Sequence, residues 1–233
     1  MKILRKFATL AVISLVYLNC LACSPSRQFL KSDSPKDIRV VYVKAVADEE
    51  YRGGRFLFFS YETNWKQDIK EMIDGASQDF EKEFGIRFVI KEIGEWKSDN
   101  RIKENEPLLC ELIRTVKIED GINVVLGFTG QVFDIEGRAV SLGHYILMGP
   151  QRSKYIIGHE FGHIFGAEDI YNNTSSIMNR YGLWNLIRDG SKYSGPHFDK
   201  KNAERIMRNK YCSFKPWAFY ELLQKQKVKI ERR

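Results

Sequence analysis

The 233 residues carry 37 Lys and Arg against 30 Asp and Glu, a formal net charge of +7, with 43% hydrophobic and 29% charged residues. That composition fits a soluble globular chain with one sizeable domain, or a domain with a smaller lobe, and excludes a disordered or polytopic membrane protein. The positive excess is largely terminal, from Lys2, Arg5 and Lys6 at one end to Lys225, Lys227, Lys229, Arg232 and Arg233 at the other, so no basic face for nucleic acid is expected.

The chain opens as a targeting segment. Lys2, Arg5 and Lys6 form a positive n-region, and residues 7–18 are an apolar run too short to span a bilayer comfortably. Ala22 followed by Cys23 resembles the lipobox of bacterial lipoproteins. The resemblance implies a signal peptide over 1–22 and a lipid on Cys23, hence an exported protein anchored to a membrane, periplasmic or at the cell surface; the alternative is an ordinary secretory signal. Residues 23–36 are polar, contain two prolines and read as the tether. The folded domain is expected over 37–215, and 216–233 is a basic tail.

Within the domain, residues 37–47 carry the β-branched run Ile38, Val40, Val41, Val43 and read as a strand. Gly53-Gly54 breaks the chain before a short apolar stretch, 55–60. Residues 64–84 form an amphipathic helix, with Trp65, Ile69, Met72, Ile73, Ala76 and Phe80 at helical spacing and Gly85 as its cap. A strand follows over 86–93, a helix over 106–117 and a strongly apolar strand over 122–128. Val132-Phe133 and 138–148 read as two further strands, with His144 on the edge strand. A helix from Lys154, capped by Ser153, ends near Gly166. Loops follow to Pro196, then a helix over 199–210 and a last turn or two over 216–224. The order βαβαβ indicates α/β architecture with a largely parallel, twisted sheet. Export makes a disulfide permissible, and Cys110 and Cys212 are the candidates, although a buried free thiol at Cys110 is equally compatible with its helical setting.

The helix 154–166 carries the chemistry. His159 and His163 lie four residues apart, so one helix face presents both imidazoles. Glu160 is rotated by about a hundred degrees, placed to reach a water rather than the metal. Catalytic zinc needs three protein ligands and an open position. If the helix stops at Gly166 the chain reverses, and Asp169 can return to the metal; Glu168 and His197 are the other candidates.

His159-Glu160-x-x-His163-x-x-Gly166-x-x-Asp169 resembles the metzincin zinc motif, and aspartate in the third position resembles its snapalysin branch. Ser176-Ile177-Met178-Asn179-Arg180-Tyr181 resembles the methionine turn of the same clan. The resemblance implies a twisted mixed sheet with covering helices, an active-site helix and a C-terminal helix. It further implies zinc on His159, His163 and Asp169, Met178 beneath it, Glu160 as general base, and transition-state support from Tyr181. The implied activity is zinc-dependent endopeptidase action on protein or peptide substrates. If the edge strand borders the cleft, Gly143 and its neighbours are the expected place for an extended substrate to pair. Alternatives are an HExxH peptidase with a different third ligand, and a surface lipoprotein that keeps the metal for adhesion.

Overall fold

The computed structural model describes residues 37–53, 55–56, 59–60, 64–131, 137–151, 153–171, 176–179 and 198–215. The leader, Cys23, the tether, Val132-Phe133, Arg180, Tyr181, His197 and the tail lie outside them. In chain order the elements are β1 (Arg39–Ala47), α1 (Glu49–Arg52), β2 (Arg55–Phe56), β3 (Phe59–Ser60), α2 (Trp65–Phe84), β4 (Ile86–Glu95) and α3 (Asn105–Thr115). They continue with β5 (Val124–Phe128), β6 (Gly137–Ala139), β7 (Tyr145–Met148), α4 (Lys154–Ile164) and α5 (Lys200–Asn209).

Five strands form one mixed sheet in the order β4-β1-β5-β7-β6; β2 and β3 pair separately. β4, β1, β5 and β7 run parallel, and β6 is antiparallel to β7. Parallel neighbours need crossover helices, and two such helices are placed on opposite faces. Along β1, Val41, Val43, Ala45 and Ala47 point into a core shared with α2, α4 and α5. Val46 points the other way, into a smaller core built on Leu108, Leu109, Leu112 and Ile113 of α3. Val124 and Leu126 of β5 join the first core and Val125 the second. With helices on both faces, every residue of β5 is buried, which explains why its sequence reads as a continuous apolar run rather than an alternating one.

Local signals set the turns. Gly85 ends α2 at φ 63°, the left-handed cap that glycine adopts without strain, and the chain enters β4 at the next residue. Asp48 caps α1 by accepting from the Tyr51 N–H. Residues 138–148 differ from expectation: they are a hairpin, not a single strand. Val140 donates to Tyr145 and Gly143 to Val140, with Leu142 at φ 56° between them. Gly143 and His144 therefore lie in the turn and not on the edge strand, and the His144 Nδ1 is 2.8 Å from the Asn123 carbonyl. The edge is β6.

The permitted disulfide is not formed. Cys110 and Cys212 are not bonded to each other; Cys110 sits on α3, over one face of the sheet, and Cys212 follows α5, which packs on the other. Burial raises the pKa of the Cys110 thiol. Among the described residues no helix is long and apolar enough to cross a membrane.

Candidate metal centre

α4 begins where Ser153, in extended conformation, accepts the Tyr155 N–H. Residues Ile156 to Gly162 are all buried, because the helix is wedged between the sheet core and the loops that follow it. Phe161 stacks on Phe88 with ring centroids 3.6 Å apart, fixing the helix against β4. Gly158 and Gly162, one turn apart, face the Ser176–Asn179 segment. A Cβ at Gly158 would lie 3.0 Å from the Ile177 side chain, and one at Gly162 would lie 2.8 Å from Met178 Sδ. Met178 is fully buried there, beneath the histidine-bearing turn.

The helix ends as its sequence suggests. Gly166 has φ 84°, its N–H donates to His163 O, and Ala167 N–H donates to Gly162 O. This pair of bonds, from one and two residues past the cap, is the Schellman arrangement. It reverses the chain within three residues, so Asp169 comes back over the turn that carries His163.

The two imidazoles are oriented from behind. His159 Nδ1 is 2.9 Å from Ile177 O, and His163 Nδ1 is 2.9 Å from Ala167 O. A carbonyl only accepts, so each Nδ1 carries a proton, and a ring with no second proton presents its Nε2 lone pair forward. The two Nε2 atoms are 3.1 Å apart. Asp169 Oδ1 lies 3.1 Å from one and 3.2 Å from the other. Three electron-pair donors thus form a nearly equilateral triangle. Such a set repels itself unless a cation sits among its members. Ligands 2.0–2.1 Å from a tetrahedral ion are about 3.3 Å from one another, close to the spacing found.

Glu160 is buried at 3% exposure, and the donor atoms of His159, Glu160 and His163 all lie within 4.8 Å of one another, so this cluster can hold a metal ion. Glu160 Oε2 has no hydrogen-bond partner among the described residues. Gly137 of β6 lies directly over the carboxylate: a Cβ there would be 2.7 Å from Glu160 Oε1 and Cγ. Only glycine lets the edge-strand backbone approach so closely.

The charges are coupled. Burial works against ionisation of Asp169, yet the approach of His159 and His163 holds its carboxyl well below the usual carboxylate range. Burial likewise works against charge on His163, but Asp169, Glu160 and the Ala167 carbonyl leave its pKa raised. Glu168, an alternative third ligand by sequence, turns away. Its carboxylate pairs with Arg205 at 2.5 Å, and that contact lowers its pKa.

Of the residues singled out from sequence, the fold brings together His159, Glu160, His163, Asp169 and Met178. Tyr181 and His197 lie outside the described residues. Sequence reasoning missed Gly137, Gly158, Gly162 and Asn202. The small residues at positions 158 and 162, one helical turn apart, were a readable sign of close packing; nothing in the sequence pointed to Gly137 or Asn202.

No protein-family model matches the chain, and no curated protein matches it. Among solved structures the chain is similar to one described as a chaperone-substrate complex, with a TM-score of 0.48 and 12% identity over 74% of this chain. It spans 35% of that chain's length.

Proposed function

We propose that this protein is a zinc-dependent endopeptidase of metzincin type, exported and held at a membrane through Cys23. The observation that carries the reading is the triangle of His159 Nε2, His163 Nε2 and Asp169 Oδ1, with edges of 3.1, 3.1 and 3.2 Å, beside a buried glutamate. Two imidazoles and a carboxylate suit zinc in number, type and spacing, and leave a fourth position for substrate or water. Met178 beneath the helix and the reversal at Gly166 support the resemblance drawn from the motif.

Zinc bound there supplies Lewis acidity, lowering the pKa of water and polarising a carbonyl. The chain's own residues do the rest. Glu160 accepts the proton of the attacking water as the hydroxide adds to the peptide carbonyl, then passes it to the departing amine, so each cleaved bond consumes one water and leaves Glu160 ionised. Its burial suits this role, since few other groups compete for its proton. Gly137 at the carboxylate puts β6 beside Glu160, and an extended substrate pairing with that strand would bring its carbonyl to the base.

Two substitutions test the reading. Glu160→Gln is expected to keep one zinc per chain while peptide hydrolysis falls by about 10²- to 10⁴-fold. Asp169→Ala is expected to lose zinc. Proteolysis retained in the first variant would overturn the base assignment; unchanged zinc content in the second would overturn the ligand set and favour an HExxH site completed elsewhere.

A further inference from the structure

Asn202 lies in the first turn of α5 at 1% exposure, yet it is polar. A buried amide is expensive unless all its groups are bonded, so its partners show what it holds. Its Oδ1 accepts from Glu168 N–H at 2.8 Å, and its Nδ2 donates to Glu168 O at 2.9 Å. These two bonds fix the amide orientation, since a backbone N–H only donates and a carbonyl only accepts.

The two backbone groups belong to consecutive peptide units. The Glu168 N–H shares its peptide plane with Ala167 O, the acceptor that orients His163. The Glu168 carbonyl shares its plane with the Asp169 N–H, the unit from which the Asp169 side chain projects. One side chain therefore sets both the ring of His163 and the approach of Asp169. Nδ2 also donates to Asp199 Oδ2 at 2.8 Å. Ser176 Oγ donates to that same oxygen at 3.0 Å and accepts from Met178 N–H at 3.2 Å. The chain of bonds thus ends in the turn whose Ile177 carbonyl orients His159.

We propose that Asn202 is the positioning residue of the metal centre, holding the loop of the third donor and, through Asp199 and Ser176, the turn behind the first. The proposal rests on the reading of His159, His163 and Asp169 as metal ligands.

The test is zinc affinity, by competition with a chromogenic chelator, together with the visible absorption of the cobalt-loaded protein. Both are measured on wild type, Asn202→Asp, Asn202→Ser and Ile206→Val. Asn202→Asp keeps the shape but sets an acceptor against the Glu168 carbonyl and a second carboxylate against Asp199. Ile206 is fully buried on the same helix, so its variant perturbs packing alone. Both Asn202 variants are expected to lose about 10- to 100-fold in zinc affinity with a changed cobalt spectrum, while Ile206→Val keeps both. Wild-type affinity and spectrum in the Asn202 variants would overturn the proposal, as would an equal loss in Ile206→Val. A wild-type chain that binds neither metal would instead overturn the ligand reading on which it stands.

Discussion

At the scale of single residues, a metal held at the proposed centre would compete with protons for the same lone pairs. The raised His163 pKa means that, in metal-free protein, its contribution to stability is fully present below the ordinary value of 6.5 and is lost as pH rises through the folded value. The lowered Asp169 pKa works in the opposite sense: its contribution is present above the ordinary 3.8 and lost as pH falls through the folded value. The pair therefore stabilises the metal-free chain most between those two ordinary values. Zinc needs the unprotonated ring, so apparent zinc affinity is expected to fall steadily from about pH 8 to about pH 5.5. Over the same range the metal-free melting temperature of wild type should rise relative to that of Asp169→Ala. Competition titrations and thermal melts at each pH check both; an affinity flat across the range would count against His163 as a ligand. The histidines and glutamate were legible because helical geometry puts positions four apart on one face. Asp169 was legible only as a candidate among three, because sequence does not show which carboxylate or ring returns after a turn.

At the scale of elements, α4 works because it has bulk on one side and none on another. Phe161 packs on Phe88, while Gly158 and Gly162 admit the turn that carries Ile177 and Met178. Gly162→Ala tests this balance. Alanine gains up to about 1 kcal/mol of helix propensity. Its Cβ, however, would sit 2.8 Å from Met178 Sδ and 2.9 Å from Phe198 Cε1, both in the core. Overpacking of that kind costs about 1–3 kcal/mol, so the variant is expected to be less stable by about 1 kcal/mol, read as a melting temperature lower by about 2–4 °C. A melting temperature above wild type would show that the turn has room to give. The ends of α4 were legible from Ser153 and Gly166. The hairpin after β5 was not, since Leu142 adopts a left-handed conformation that its residue type does not announce.

At the scale of the whole molecule, the donors on α4 and its return loop are oriented by a second part of the chain that meets them only after folding, the Ser176–Asn179 turn braced by α5. A ligand that binds only the assembled arrangement stabilises it by mass action. Zinc at about a hundred times its dissociation constant should add about 2.7 kcal/mol, and chelation should lower the melting temperature by about 5–10 °C. Asp169→Ala should melt at the same temperature with and without chelator. An equal chelator effect in that variant would place the stabilising metal elsewhere.

The sequence by itself determined the mixed α/β architecture, the positions of the main helices and strands, and the helix that presents His159, Glu160 and His163. These follow from periodicity, caps and glycine breaks, which act over a few neighbouring residues. Only the tertiary structure decided that 138–148 is a hairpin whose edge is β6, that Cys110 and Cys212 stay apart, and that Gly137 meets Glu160. It also decided that Asp169 rather than Glu168 faces the imidazoles, because Arg205 on α5 draws the Glu168 carboxylate aside while Asn202 grips the backbone between them. The Asn202 and Arg205 contacts to Glu168 join segments more than thirty residues apart in the chain, and no local pattern encodes that distance.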